Sequence, residues 1–328
     1  MGYRELKNKA DDKVKRIKRI CLCVAVFLVM SLLVFSFFYP PESWKYYFAT
    51  PSVGVRKSKE MRVHFLNVGQ GDCMIIELPD GKTMLVDGGC GGAKTEKTVL
   101  RYLNALKIDT IDYLLITHTD DDHCGSIAEV ARHKKVLNAY LPASYDITSG
   151  EYAEAYAALA QEDCKLFTTD RTLDLSHAED TPYTLSFLYP YSDRMTDGDN
   201  EGSAVFWLDY MGVSFLFAGD APKEVEEELL RDDGFGFFDE SGVTLSDTEI
   251  LKVGHHGSSS STSMELLTYL NLETAIISCG KDNAYGHPAD VVMGMLEVVG
   301  ADVYRTDESG HIILTVSQDG GYTVKTVE

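Results

Sequence analysis

From Ile20 to Tyr39 the chain carries no charged residue, and no other feature narrows its possible folds so sharply. Twenty residues at about 1.5 Å of rise each reach roughly 30 Å, the thickness of a bilayer's hydrocarbon core. The run is apolar on every side, unlike the one-sided helices of soluble domains. Lys13-Val14-Lys15-Arg16-Ile17-Lys18-Arg19 precedes it, and Pro40-Pro41 with Trp44, Tyr46, Tyr47 and Phe48 follows. Basic residues favour the cytoplasmic side and aromatic ones the membrane–water boundary. The pattern predicts a cytoplasmic N-terminus, one span, and an extracytoplasmic location for everything after about residue 41. The run exceeds a usual signal-peptide core and lacks a clear small-x-small cleavage site, so a retained anchor is expected. The organisation expected is a basic cytoplasmic segment 1–19, an anchor 20–40, a linker 41–60, and one folded domain 61–328.

Charge is unevenly spread. Residues 1–40 hold eight Lys/Arg against three Asp/Glu, a local +5, in a chain of formal net charge −21. The remaining 288 residues carry 22 basic and 48 acidic groups, a net −26. Such a body repels polyanions unless metal ions or a basic strip intervene. The seven cysteines are scattered singly or lie in the apolar run. That distribution excludes a disulfide-stapled scaffold and suits small buried thiols.

After the linker the pattern predicts strands at 61–68, 74–78 and 83–86, with Pro79-Asp80-Gly81-Lys82 as a hairpin turn. A helix over 95–106, a strand over 113–116, a helix over 126–133 and a strand over 136–141 follow. The alternation then repeats. Strands at 204–210 and 213–217 flank Met211-Gly212; a helix over 222–231, a strand at 249–253, a helix at 263–270, a strand at 274–278 and a helix at 291–298 come next. Strands at 312–316 and 322–327 end the chain. Hairpins followed by alternating strands and helices suit two packed sheets with helices outside, an α/β sandwich.

The strongest chemical feature is His118-Thr119-Asp120-Asp121-Asp122-His123. It follows an apolar strand, whose end is a fixed platform from which a loop can aim several side chains at one point. Three clustered carboxylates repel one another as free anions, whereas with two imidazoles they suit a divalent cation. Asp220 follows a strand and Gly219, which permits close backbone approach. His255-His256 in a Gly/Ser loop is poor core material, so one of the pair is expected to face the site. Gly69-Gln70-Gly71-Asp72 lacks the third glycine and the helix of a dinucleotide fingerprint, and is expected instead to turn Asp72 toward the site. His64, His133, His177 and His311 match no motif and are expected at the surface or in packing.

Together these segments resemble the metallo-β-lactamase superfamily, whose metal signature is HxHxDH. The HxDxDH form found here is similar to the hydrolase domain of ComEC-type DNA-uptake proteins. The likeness runs from Met61 nearly to Arg305. It takes in Asn67-Val68-Gly69-Gln70-Gly71-Asp72, Leu85-Val86-Asp87-Gly88-Gly89, Phe217-Ala218-Gly219-Asp220, Leu251-Lys252-Val253-Gly254-His255-His256-Gly257-Ser258 and Tyr285-Gly286-His287-Pro288. The resemblance implies an αββα sandwich, preceded here by one transmembrane helix. It implies His118, Asp120, Asp122, His123, Asp220, His255 and His287 as metal ligands, with Asp220 bridging two ions. Asp122 and His256 are expected to serve catalysis, His256 by protonating the leaving oxygen. Asp72, Asp87 and Ser203 are expected to support the ligands by hydrogen bonds.

Two departures from the broad superfamily stand out: Asp120 replaces the second histidine, and Ser203 stands near where a further histidine ligand is expected. Both make the site richer in oxygen, so Mn²⁺ is as plausible as Zn²⁺ for one or two divalent cations. Such ligands support attack of an activated water on phosphorus. The resemblance implies DNA or other nucleic acid as substrate, although one helix and a short linker leave no room for a DNA channel. Two alternatives stand: a cell-envelope phosphoesterase on small or teichoic-acid-type substrates, and a non-catalytic metal-binding module. The membrane is the one further partner expected, and the sequence implies no protein partner.

Overall fold

The computed structural model describes residues 3–38, 41–48, 50–142, 150–161, 163–191 and 200–327. The chain forms two compact units, Met1–Phe48 and Ala49–Glu328. In the first, α1 (Tyr3–Phe38) is one continuous helix, running through the basic segment as well as the apolar one. Its Lys, Arg and Glu residues are good helix formers, and it ends two residues before the helix-breaking Pro40-Pro41. The portion Asp12–Phe37 is long and apolar enough to cross a membrane.

The second unit holds two sheets. Its strands are β1 (Met61–Phe65), β2 (Met74–Glu77), β3 (Thr83–Val86), β4 (Thr110–Leu115), β5 (Lys135–Leu141), β6 (Lys165–Thr168) and β7 (Thr184–Tyr189). Next come β8 (Val205–Tyr210), β9 (Val213–Phe217), β10 (Ile250–Lys252), β11 (Thr274–Ile277), β12 (Asp302–Arg305), β13 (His311–Val316) and β14 (Tyr322–Val327). One sheet has the order β14-β13-β1-β2-β3-β4-β5-β6 and the other β12-β11-β10-β9-β8-β7. Each begins as antiparallel hairpins and continues in parallel, from β3 to β6 and from β9 to β12. The β8–β9 hairpin turns on Met211-Gly212, both with positive φ (59° and 81°), as a two-residue turn matched to strand twist requires.

Parallel neighbours need crossovers. These contain α2 (Ala93–Leu106), α3 (Asp121–Cys124), α4 (Ile127–His133), α5 (Gly150–Gln161), α6 (Lys223–Gly234), α7 (Met264–Tyr269) and α8 (Asp290–Val299). Side-chain alternation divides the apolar residues between two layers. Val63, Phe65, Ile76 and Val86 of the larger sheet meet Phe187, Phe206, Phe215, Phe217, Ile250 and Ile276 of the smaller in one core. Leu216, Leu251 and Ile277, on the opposite face, pack with Val225 and Leu229 of α6, Leu266 of α7, and Val292 and Leu296 of α8. This is the αββα sandwich that the resemblance implies, with the candidate site residues clustered at the C-terminal ends of β3, β4, β9 and β10, where α/β sheets place their ligands.

Helix α5 and strands β6, β7 and β12 were not expected from the sequence. Strands β6 and β12 are the exposed or half-exposed edges of their sheets, so no clean apolar alternation marks them.

Two of the unmatched histidines make specific hydrogen bonds on the larger sheet, His64 buried and His311 half-buried. His64 lies between Tyr102 Oη (3.0 Å) and Glu77 Oε2 (2.9 Å), and Glu77 also receives Arg62 Nε at 2.6 Å. His311 Nδ1 accepts the Asn67 N–H at 3.0 Å, which requires that nitrogen to be unprotonated. Burial, and then the neighbouring His64, push the His311 pKa down from 6.5 to about 4. The unfolded chain therefore binds the extra proton first, so this contribution is complete above pH 6.5 and lost as pH falls toward 4. A His311→Gln variant is expected to flatten the acid limb of a stability–pH profile over that window. The effect is at most about 2 kcal/mol because the ring is part-exposed, and an unchanged acid limb would refute it.

Candidate metal centre

The site is assembled by loops that approach more closely than side chains would allow. Asp72 N donates to the Asp122 carbonyl at 3.2 Å, beside Gly71, where a Cβ would lie 2.3 Å from that same oxygen. Gly125, just after α3, would place a Cβ 1.9 Å from Gly91 N. These glycines let the 118–123 loop settle onto the loops that follow β1 and β3.

Three imidazoles then point the same nitrogen inward, each held from behind. His123 Nδ1 is 2.8 Å from Asp87 Oδ2. Asp87 also accepts Thr117 N and Thr117 Oγ1, both at 2.8 Å. Since Thr117 gives its hydroxyl proton to Asp87, its oxygen takes the Nδ1 proton of His118, 3.1 Å away. His256 Nδ1 is 2.9 Å from the Ser278 carbonyl and donates to it. With every Nδ1 engaged from behind, each ring directs its Nε2 to the centre, where it offers a lone pair once that nitrogen gives up its proton.

Asp220 is what they face. Its Oδ1 is 3.4 Å from His123 Nε2, and its Oδ2 is 3.5 Å from His256 Nε2 and 3.9 Å from His118 Nε2. The Asp220 N–H donates to Ser203 Oγ at 3.2 Å, the contact that Ser203 makes in the site. Asp122 Oδ2 lies 3.3 Å from His256 Nε2. The ligating atoms of His118, His123 and Asp220 lie within 4.8 Å of one another, as do those of Asp122, His123 and His256, of Asp72, Asp220 and His256, and of Asp72, Asp87 and His123. His118 Nε2, His123 Nε2, His256 Nε2 and Asp220 Oδ1 are buried and make no hydrogen bond. Buried polar atoms are rarely left so; lone pairs and carboxylate oxygens aimed at one point suit a divalent cation.

The remaining expected residues lie around this centre. His255 is half-buried at the rim, its Nε2 3.7 Å from Asp220 Oδ2 and its Nδ1 3.1 Å from Ser260 Oγ. His255 and His256 adopt consecutive left-handed conformations (φ 47° and 55°), an uncommon backbone found at constrained functional sites. That turn sends His256 inward and leaves His255 at the opening. The Asp120 side chain is 51% exposed, with Oδ2 3.7 Å from His118 Nε2. The His287 ring lies on His256, centroids 6.4 Å apart.

Burial alone disfavours charge on His256, but Asp220, Asp122 and Asp72 outweigh it and push its pKa up to about 10. His123, against the same cost of burial, is raised well above the histidine range by Asp220 and Asp87. Asp220 is held well below the carboxylate range, despite its burial, by His256, His123 and His118. Protons thus compensate a concentration of negative charge that a cation can neutralise in their place.

One member of the cluster had no role in the sequence reading. Lys252 Nζ lies 2.8 Å from Asp72 Oδ2, both side chains being fully buried, and donates to the Val253 carbonyl at 2.9 Å. Asp72 Oδ1 is 3.5 Å from His256 Nδ1. A lysine ending a fully buried three-residue strand was the available signal, since lysine is almost never buried without a partner.

Residues 66–281 match the model of the Metallo-beta-lactamase superfamily. The chain is similar to ComE operon protein 3 of Bacillus subtilis, 30% identical over 270 residues, 78% of this chain and 33% of that protein. It is similar to Recombination protein 2 of Haemophilus influenzae, 30% identical over 261 residues, covering 79% and 29% of the two chains. Competence protein ComA of Neisseria gonorrhoeae is 26% identical over 261 residues, covering 80% and 33%. The chain thus spans about a third or less of the length of these relatives.

Proposed function

The chain belongs to the metallo-beta-lactamase superfamily of hydrolases, and on that premise we propose a metal-dependent phosphodiesterase that cleaves nucleic acid at the outer face of a membrane. The observation that carries this reading is the convergence of three Nε2 lone pairs on the Asp220 carboxylate. The names of the competence and recombination relatives favour a nucleic-acid substrate.

In this reading His118, His123, Asp122, Asp220 and His256 would hold one or two divalent cations. Asp120 and His287 complete the surround. When bound, the cation polarises a phosphoryl oxygen and makes water a nucleophile at neutral pH. The chain's own residues do the rest. Asp87 and Thr117 fix the rings of His123 and His118, Ser203 fixes the Asp220 backbone, and Ser278 fixes His256. Of the adjacent histidines, His256 is assigned to the cation because its Nε2 is buried against Asp122 and Asp220. His255, at the opening, is assigned to the substrate side, where it can exchange a proton with the leaving oxygen. The mixed nitrogen and oxygen donors suit Zn²⁺ or Mn²⁺. The helix Asp12–Phe37 anchors the enzyme with its folded domain outside the cytoplasm.

The test uses the full-length protein in detergent, stripped of metal and reloaded with Mn²⁺ or Zn²⁺. Linear DNA and bis-(p-nitrophenyl) phosphate are assayed beside an Asp122→Ala/His123→Ala double variant. Cleavage of both substrates is expected, and none by the double variant. The KM for DNA is expected to rise steeply with salt while that for the small ester stays flat. Stoichiometric metal with no turnover of either substrate would remove the phosphodiesterase reading. Turnover of the small ester alone would favour a phosphoesterase of small envelope substrates, a second reading that the −26 charge beyond residue 40 supports.

A further inference from the structure

Tyr285 is 72% exposed, yet its backbone is firmly fixed. Its N–H donates to Asn283 Oδ1 at 3.1 Å, and the His287 N–H donates to the same oxygen at 3.0 Å. Asn283 Nδ2 donates in turn to the carbonyls of Gly280 (2.9 Å) and His287 (2.6 Å). One asparagine side chain therefore closes the 280–287 loop. The loop is itself seated on the Gly69-Gln70 turn: Gly280 N donates to Gln70 Oε1 at 3.1 Å, and a Cβ at Gly280 would lie 2.7 Å from Gln70 N.

The Tyr285 ring lies against His287 with centroids 5.7 Å and planes 24° apart, and His287 lies against His256 at 6.4 Å and 30°. Three rings thus lead in two short steps from the surface to the candidate metal centre. Among the described residues from 50 onward, Tyr285 is the exposed aromatic whose ring contacts a histidine of the site. The same loop supplies Lys281 to the lining of a neighbouring cavity of about 550 Å³, which also holds Lys94. These two cationic groups share that lining with Asp307.

An aromatic face held two ring contacts from the candidate metal centre does little for an aliphatic substrate. A glycerol or ribitol phosphate offers it only C–H groups and hydroxyls, whereas every nucleobase has a π-face to stack on it. We infer that Tyr285 is a specificity residue: its free face stacks on a base flanking the scissile phosphate, so the site prefers nucleoside phosphodiesters to those of aliphatic polyols. This rests on the phosphodiesterase reading and names its substrate class. Because stacking tolerates any base, the preference is for nucleic acid as a class, not for a sequence.

The test compares full-length metal-loaded enzyme with its Tyr285→Ala and Tyr285→Phe variants on a short single-stranded oligonucleotide and on glycerophosphoglycerol. Thermal unfolding and bound metal are measured for each variant to show that the fold and the centre persist. The wild type is expected to prefer the oligonucleotide. Tyr285→Ala is expected to raise KM for it about tenfold with a smaller change in kcat, the pattern of lost binding shared by ground and transition states. The preference over glycerophosphoglycerol should fall by a similar factor, and Tyr285→Phe should keep it. An unchanged KM in Tyr285→Ala, equal losses on both substrates, or a Phe variant as impaired as the Ala variant would each overturn the inference. A wild type that prefers glycerophosphoglycerol would overturn it and leave the phosphodiesterase reading intact. Silence on both substrates with metal bound would end both.

Discussion

Asp220→Asn is expected to abolish tight metal binding and to lower phosphodiester hydrolysis by well over a hundredfold. The substitution keeps the shape of the side chain and removes its charge. Asp220 faces His118, His123 and His256 with its two oxygens at 3.4–3.9 Å, so it is the one carboxylate common to all three inward nitrogens. Loss of residues that merely orient metal ligands costs about 10- to 100-fold; loss of a central anionic donor should exceed that. Metal content after dialysis and turnover of bis-(p-nitrophenyl) phosphate read the two effects separately. An Asp220→Asn protein that binds metal stoichiometrically and turns over within tenfold of wild type would disprove the assignment.

The second large effect concerns stability. Lys252→Met leaves the Asp72 carboxylate fully buried without its partner at 2.8 Å. Removing one member of a buried ion pair costs about 3–5 kcal/mol. Lys252 and His256 hold Asp72 below the ordinary carboxylate range despite its burial. That contribution is present above the unfolded pKa of 3.8 and lost as pH falls through the folded value. In Lys252→Met the folded pKa rises instead, and Asp72 can take a proton in mild acid. The gap between wild type and variant is therefore expected to be largest near neutral pH and to narrow on acidification. Adding Asp72→Asn should restore part of the loss. Chemical denaturation in the presence of chelator measures this without any contribution from metal; a difference below about 1 kcal/mol at pH 7 would show that the pair is dispensable.

The sequence made the scaffold legible where burial is two-sided or alternation is clean. Strands β1 to β5 and β8 to β11 are apolar runs bounded by turn residues, and His118-Thr119-Asp120-Asp121-Asp122-His123 combines residue types that only a shared ligand reconciles. It was silent where structure depends on neighbours. Strands β6 and β12 exist because an adjacent strand offers hydrogen bonds to an edge. Which of His255 and His256 turns inward is fixed by two left-handed backbone conformations and the Ser278 carbonyl, and no local pattern encodes these. The Lys252–Asp72 pair joins residues far apart in the chain, so Asp72 is expected near the site while nothing local marks Lys252 as its partner.

The two sheets contribute unequal shares of the centre. The larger supplies Asp72, Asp87 and the 118–123 loop, while the smaller supplies Asp220, His256 and the 280–287 loop. The groups that include Asp220 or His256 draw on both sheets, so they form only when the two layers dock. A cation bound there would stabilise chains whose layers have met in register over those whose layers have not. The supply of metal ions would then set how much of the folded domain persists as well as how fast it works.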